Sequence, residues 1–377
     1  MSLDKLEKKS KLPLVYRIVL ENLRHRFMRT VLTAAAIGLG VAMILSIVGI
    51  SRGMLDDQKA RARGVGAEIF LVPPGESAIA LSSAPLPEKY VDLVREQPNV
   101  AAVTSNVVQP IKRLHRITGI DYEEFNALAD LRFLEGGPFE HEADLILDEY
   151  YAREQKLSVG DTYEMIGQTW RIVGIVEPGK MARVVVRKDV LQELTGTTDK
   201  ITMMYVKLED PTRLDESIAH FEGLFKDAIQ VYSVEEVVSQ FSVDNIPEFQ
   251  TFLNVIIGLS VGFGFLVIFL TMHTAVLERT KEIGILKSLG ASAEYILGIF
   301  VREACLLGLL GTVAGVVFSF GTRYAIKAFI PASMQYTTVP DWWPIVLGIT
   351  LVGALLGVVY PALKASRQDA LESLGYD

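Results

Sequence analysis

The sequence has one cysteine among 377 residues, Cys305. A single thiol excludes an intrachain disulfide and any metal centre built from several cysteines. Set in an apolar run, it reads as a buried, inert side chain. Histidine is scarce too, with five. No HExxH pair, GxSxG elbow or paired His and Asp constellation is present, so the sequence offers no visible catalytic centre. A positive balance is also missing: 37 Lys and Arg face 45 Asp and Glu, a formal charge of −8. That argues against general affinity for nucleic acid, whose phosphates are met by basic surfaces. No cleavable leader is evident, because the first long apolar run carries no small-residue cleavage site, so that run is expected to remain as a membrane anchor.

What the sequence does have is grease interrupted by charge. Half the residues are hydrophobic and 22% are charged, with a mean hydropathy of +0.31. Such a mixture predicts membrane spans joined to a water-soluble part. Four runs lack charge: Val31 to Ile50, Thr251 to Leu277, the stretch between Glu303 and Arg323, and Trp342 to Leu363. About twenty apolar residues at ~1.5 Å rise cross a hydrocarbon core of ~30 Å. Trp342 and Trp343 suit the membrane interface.

The expected class is therefore a membrane protein with four transmembrane α-helices. A large α+β extracytoplasmic domain on a helical stalk lies between the first and second spans. The spans are placed at 31–51, 251–277, 298–323 and 341–363. Between them fall the outer domain with its stalk at 52–250, a cytoplasmic segment at 278–297 and an outer loop at 324–340. A cytoplasmic N-terminal helix (1–30) and tail (364–377) complete the chain. Arg17, Arg24, Arg26 and Arg29 before the first span, and Lys364 and Arg367 after the last, predict cytoplasmic termini. The 52–250 segment carries 21 basic and 34 acidic side chains, consistent with placement outside.

Val15, Val19, Leu23 and Phe27 recur every fourth residue among charges, which suits a helix lying in the membrane interface or packed on another chain. Gly308, Gly311, Gly315, Gly353 and Gly357 allow close helix approach, whether within the chain or between copies. Only His273 lies inside a span as a titratable group, with Arg302 and Glu303 at the start of the third. That scarcity counts against an ion-coupled carrier.

In the outer segment, Glu68 to Val72, Ala101 to Val108, Leu145 to Leu147, Val184 to Val186 and Ile201 to Leu208 read as strands. Thr162 to Ile166 and Thr169 to Val176 form a hairpin across Gly167-Gln168. Glu149 to Leu157 and Pro211 to Phe225 read as helices. Residues 52–65 and Val234 to Phe249 extend the flanking spans as the stalk, the latter broken near Pro247. Pro73 to Pro87 reads as a loop, and two lobes are expected. Gly174 to Lys180 matches GxxxxGK, but Met181 stands where a magnesium-binding Ser or Thr belongs. The match reads as chance.

The most informative stretch is Glu278-Arg-Thr-Lys-Glu282-Ile-Gly284-Ile-Leu-Lys287-Ser-Leu-Gly290-Ala291. Ile283, Leu286 and Leu289 fall three apart, which predicts a short helix with one apolar stripe. Gly290 suits a left-handed helix end and Ser292 the cap of the next helix. The stretch resembles the cytoplasmic segment of the MacB/FtsX family of ABC permeases, which runs close to ERxxEIGxLKAxGA. Tyr360-Pro361-Ala362-Leu-Lys-Ala365-Ser-Arg-Gln-Asp369 resembles that family's closing segment, with Ala370 where proline is usual and Ser373 where alanine is usual. Leu145-Ile-Leu-Asp148, Leu157-Ser-Val-Gly160-Asp161, Val173-Gly174-Ile175 and Gly119-Ile120-Asp121 are similar to its periplasmic core.

The resemblance implies a non-catalytic permease subunit of an ATP-driven transporter in the bacterial cytoplasmic (inner) membrane. ATP and magnesium would be bound by a separate ABC ATPase, with no cofactor in this chain. It also implies a second permease copy, in a homodimer or alternatively a heterodimer, and a periplasmic adaptor or substrate-binding partner. Coupling to the ATPase is assigned to Glu278, Arg279, Glu282, Ile283, Gly284, Leu286, Lys287, Leu289 and Gly290. The expected work is movement of the outer domain for export or extraction of a hydrophobic or amphipathic substrate. The alternative is an FtsX-like regulator of an outer cell-wall hydrolase that transports nothing.

Overall fold

Two lengths of apolar run sort the chain: long uncharged ones form helices and short ones form strands. A computed structural model describes residues 14–74, 85–112, 115–180, 182–241, 247–329 and 335–367. The chain divides into two compact units: 1–50 with 249–325 and 337–377, and 51–248 with 326–336.

The first unit is helical. Helix α1 (Leu14–His25) is followed by α2 (Phe27–Gly64), and the unit is completed by α9 (Pro247–Glu278), α10 (Thr280–Ser288), α11 (Ala293–Phe329) and α12 (Trp342–Arg367); residues 51–64 of α2, 247–248 of α9 and 326–329 of α11 fall in the second unit. Among the described residues, α2, α9, α11 and α12 are long and apolar enough to cross a membrane. Ile268, Met272, Phe300, Leu307, Ala354 and Val358 form part of their shared core. The glycines serve contacts inside this bundle. A Cβ on Gly311 would meet Ile37 at 2.5 Å, and one on Gly315 would meet Val41 at 2.5 Å, which sets α11 directly on α2. Gly357 does the same for α12 on α9, 2.9 Å from the Phe265 carbonyl. Thr33 and Thr271 place their hydroxyls 3.2 Å apart between α2 and α9.

The fourfold stripe at the N-terminus divides. Val19 and Leu23 are buried in the bundle core, so helices of the same chain cover this face. Phe27 is 64% exposed: α1 stops at His25 and Phe27 opens α2, so it does not continue the turn that carries Val19 and Leu23. Val15 and Arg17 have side chains outside the described set.

The second unit is built on a sheet. Its strands are β1 (Ile69–Val72), β2 (Leu86–Pro87), β3 (Val100–Lys112), β4 (His115–Ile120), β5 (Phe133–Gly136) and β6 (Asp144–Asp148). They continue with β7 (Thr162–Met165), β8 (Gln168–Val176), β9 (Val184–Arg187), β10 (Lys200–Ile201), β11 (Met203–Leu208) and β12 (Gln230–Ser233). Ten of them form one sheet in the order β12-β1-β11-β3-β4-β9-β6-β8-β5, with β7 also on β8. The two expected lobes are thus a single sheet, because β9 pairs in parallel with β4 and antiparallel with β6 and joins the halves.

Side chains alternate between its faces, as a pleated strand requires. Ile69, Leu145, Leu147, Val184, Val186 and Val206 enter one core. Phe70, Ile146, Val185 and Tyr205 enter the other. The first is covered by α3 (Tyr90–Arg95), α5 (Glu149–Gln155), α6 (Lys188–Thr195) and α7 (Leu214–Phe225). The second is covered by α4 (Tyr122–Ala129), α8 (Val234–Gln240) and Ala62 near the end of α2. The β7–β8 turn falls on Ile166-Gly167, one residue earlier than expected: both have positive φ, and Met165 pairs with Gln168. Ile166 packs against the first core, which holds it in a conformation that a β-branched residue otherwise avoids. Most of the expected Pro73 to Pro87 loop, and the break ahead of Pro247, lie outside the described residues.

Within this unit, one charge network ties the last turns of α2, residues 51–64, to the sheet. Asp57 accepts from Arg61 Nη2 at 2.6 Å and Arg183 Nη2 at 2.9 Å. Arg183 Nε lies 3.9 Å from Asp148, whose other oxygen takes the Tyr151 N–H at 2.7 Å and caps α5. Burial raises the Asp148 pKa to about 6, against the lowering pull of the Tyr151 N–H, Arg183 and Arg61. A raised carboxyl pKa means that the native state holds an extra proton between the ordinary value near 3.8 and about 6. Its contribution to stability therefore declines as pH rises through that window and levels off above it. Asp148→Asn keeps a capping acceptor and should flatten this slope. Hydrogen exchange of α5 in the full chain between pH 4.5 and 7, corrected for intrinsic rates, checks it.

Candidate coupling site at the corner between α9 and α10

Helix α9 ends at Glu278, Arg279 breaks the helical path with φ −110° and ψ 16°, and α10 starts at Thr280. Helix α10 ends as its sequence predicts. Gly290 has φ +94°, its N–H donates to the Lys287 carbonyl at 2.9 Å, and Ala291 N–H reaches the Leu286 carbonyl at 3.0 Å. These two bonds close a left-handed helix end. Ser292 Oγ then accepts the Tyr295 N–H at 3.2 Å and caps α11.

The two residues at the corner are anchored in different directions. Glu278 accepts from Arg29 Nη1 at 2.9 Å and also pairs with Arg26, both from the α1–α2 junction. Arg279 turns inward, where Nη1 donates to Glu303 Oε2 at 3.0 Å and Nη2 reaches Oε1 at 3.5 Å. The side chains are 6% and 1% exposed. Glu303 therefore sits ten residues inside α11 as a buried, paired carboxylate, so His273 is not the lone ionisable group of the helical bundle. Cys305 is half-buried rather than enclosed.

Helix α10 does not present the stripe expected from Ile283, Leu286 and Leu289. Ile283 and Gly284 are buried, Ile283 against the bundle core. Leu286 and Lys287 are half-buried, and Leu289 is 80% exposed. Steps of three residues retreat by about 60° on a helix of ~100° per residue, so the three side chains walk round its circumference. Steps of four hold a face. Ile285, half exposed, joins Leu289 on it, with Glu282 and Lys281 also exposed. Arg279, Ile283 and Gly284 thus hold the corner in place, while Glu282, Ile285 and Leu289 face outward. The inward pairing of Glu303 and the outward face of Ile285 both had signals in the sequence. An isolated carboxylate in an apolar helix requires a cation nearby, which points to Glu303. The four-residue spacing points to Ile285.

The GxxxxGK look-alike lies elsewhere. Gly174 is in β8, Gly179 has φ +93°, and the Lys180 amine donates to the Ala129 carbonyl at the end of α4. The next described element is strand β9, whereas a phosphate loop leads into a helix whose N-terminus holds the anion. Met181 lies outside the described residues. Lys180→Ala should leave ATP turnover of an assembled complex within about twofold of wild type, as a steady-state phosphate-release assay would read.

Residues 30–224, just over half of the chain, match the MacB-like periplasmic core domain. Residues 254–370 match the FtsX-like permease C-terminal domain. The chain belongs to the MacB-like ABC transporter permeases. This permease is 25% identical to the Bacillus subtilis ABC transporter permease YknZ, over 96% of this chain and 98% of that one. It is 29% identical to an ABC transporter permease of Methanocaldococcus jannaschii, over 59% of this chain and 58% of that protein. With the macrolide export ATP-binding/permease protein MacB of Escherichia coli it shares 22% over 95% of its own length, spanning 60% of that protein. The extracellular domain of YknZ matches 44% of this permease and 98% of that chain at a TM-score of 0.35 and 18% identity. The periplasmic region of MacB from Actinobacillus actinomycetemcomitans matches 49% and 96% at 0.37 and 15%.

Proposed function

We propose that this permease is the non-catalytic membrane subunit of an ATP-driven transporter. In this reading a separate ABC ATPase binds ATP and magnesium and docks at the corner helix. Its nucleotide cycle moves the outer unit to export or extract a hydrophobic or amphipathic substrate. The observation that carries the reading is α10 itself. It is a short helix with Ile285 and Leu289 outward among charged neighbours, on a base fixed by buried charge. A groove on a partner accepts such a helix through a few apolar anchors.

The reading places the permease in the bacterial cytoplasmic membrane, with both termini and α10 in the cytoplasm and residues 52–250 outside. A second copy fits along α9, where Phe252, Val255, Leu259, Phe263, Leu266 and Leu270 form an outward stripe. An outer adaptor or substrate-binding partner completes the assembly.

Topology and partner are tested together. A side chain at Gly137 meets nothing within 4 Å, so Gly137→Cys in a Cys305→Ala background should react with an impermeant thiol reagent in cells whose outer face is exposed. Affinity purification of the same chain should recover an ABC ATPase in roughly equal amount. Labelling only after lysis, or recovery of the chain with no ATPase, would sink the reading.

A further inference from the structure

Charged side chains withdrawn from water rarely add stability, since an apolar pair of equal volume does as well or better. The Arg279–Glu303 pair therefore needs another reason to sit in the bundle. Registry between packed elements is the best attested use of such pairs, and the surroundings fit it. Glu278, one residue earlier, is held by Arg29 and Arg26, so consecutive residues at the end of α9 are tied to α2 on one side and α11 on the other. Helices α11 and α2 are in turn locked by Gly311 on Ile37 and Gly315 on Val41, with no room for even one added carbon. The ties close a ring at the base of the bundle, and α2 runs unbroken from that ring to Gly64.

We propose that the Arg279–Glu303 pair is a positioning pin. It holds α10 in fixed register with α11, so that a displacement of α10 is passed through α11 to α2 rather than absorbed at the corner. The inference rests on α10 being the docking helix. Ile283 also attaches α10 to the core, but an apolar contact permits sliding, whereas a two-pronged guanidinium–carboxylate contact fixes direction as well as distance. Neither residue is a docking contact, since both are enclosed.

The test uses the full chain in lipid nanodiscs, alone and with its ATPase. Arg279→Met with Glu303→Met removes both charges while keeping volume, and Arg279→Glu with Glu303→Arg restores the pair in reverse. In the chain alone, spin labels at Ser288→Cys and Val317→Cys on a Cys305→Ala background report the register of α10 against α11. The double methionine variant should widen that distance distribution at least twofold, and the reversed pair should narrow it again. In the complex, the methionine variant should keep ATPase recovery within twofold yet lose at least fivefold of the ATP-dependent change in hydrogen exchange of residues 52–240. An unchanged distribution overturns the pin, whatever the complex does. A widened distribution with a full ATP response overturns its part in transmission. If wild-type chain recovers no ATPase, the docking reading fails separately, and the label distances alone decide the pin.

Discussion

Glu303→Leu on its own is expected to be among the most damaging single substitutions in the helical bundle. Removing the carboxylate leaves the Arg279 guanidinium, 6% exposed, with no described acceptor for its inward-facing prongs. Stranding one member of a buried ion pair costs about 3–5 kcal/mol. Against a total stability of about 5–15 kcal/mol, that is enough to deplete the folded population. The expected outcome is a several-fold loss of monodisperse protein after detergent extraction and a melting transition lowered by many degrees. Arg279→Met combined with Glu303→Met should recover most of that loss, because the unpaired charge is then gone. The four proteins form a double-mutant cycle whose coupling term isolates the pair. If Glu303→Leu alone extracts and melts like wild type, water reaches Arg279 and the pair is not buried in the working membrane protein.

Much of the architecture was legible because it depends on local pattern. Charge-free runs mark α2, α9, α11 and α12, and short apolar, β-rich runs bounded by turn residues mark β1, β6, β8 and β11. Gly290 and Ser292 announce helix ends by chemistry that acts within five residues. What escaped depends on partners distant in sequence. Strands β4, β5 and β12 are bounded by their neighbours' register rather than by a pattern of their own; β5, Phe-Leu-Glu-Gly, holds its place through β8. Helix α4 follows from Asp121, whose carboxylate accepts the Glu124 N–H at 3.1 Å, a cap that was readable but carried little apolar periodicity. At the site, the charged and apolar residues of the corner were legible as a set. Their division into an inner and an outer group was not, because it depends on which face of α10 meets α9 and α11. Arg279 pairs across 24 residues and Glu278 across 249, distances that no local pattern reports.

Ile285→Asp together with Leu289→Asp should abolish recovery of the ATPase while sparing the permease itself. Both side chains are at least half exposed, so a carboxylate at either position stays hydrated and costs the isolated chain little. In a docked helix the same positions are the apolar anchors, and truncating one anchor typically costs about 2 kcal/mol or more. Burying an unpaired charge in its place costs more still. Two such losses together correspond to a decrease in affinity of a thousandfold or so by the relation of about 1.4 kcal/mol per factor of ten. Stimulated ATP turnover should fall with recovery, and membrane insertion and melting should remain near wild type. Ile283→Asp provides the contrast: with Ile283 in the bundle core, it should reduce folded protein before docking is ever tested. Glu282→Lys, on the exposed face, should weaken recovery without harming the fold. Gly290→Val should do so by straining the φ of +94° that ends the helix, since a β-branched residue resists that conformation. The pattern to be met is a separation of outward from inward residues. If Ile285→Asp with Leu289→Asp leaves recovery and stimulated turnover at wild-type levels, the ATPase docks elsewhere on the permease and α10 is only a connection between spans.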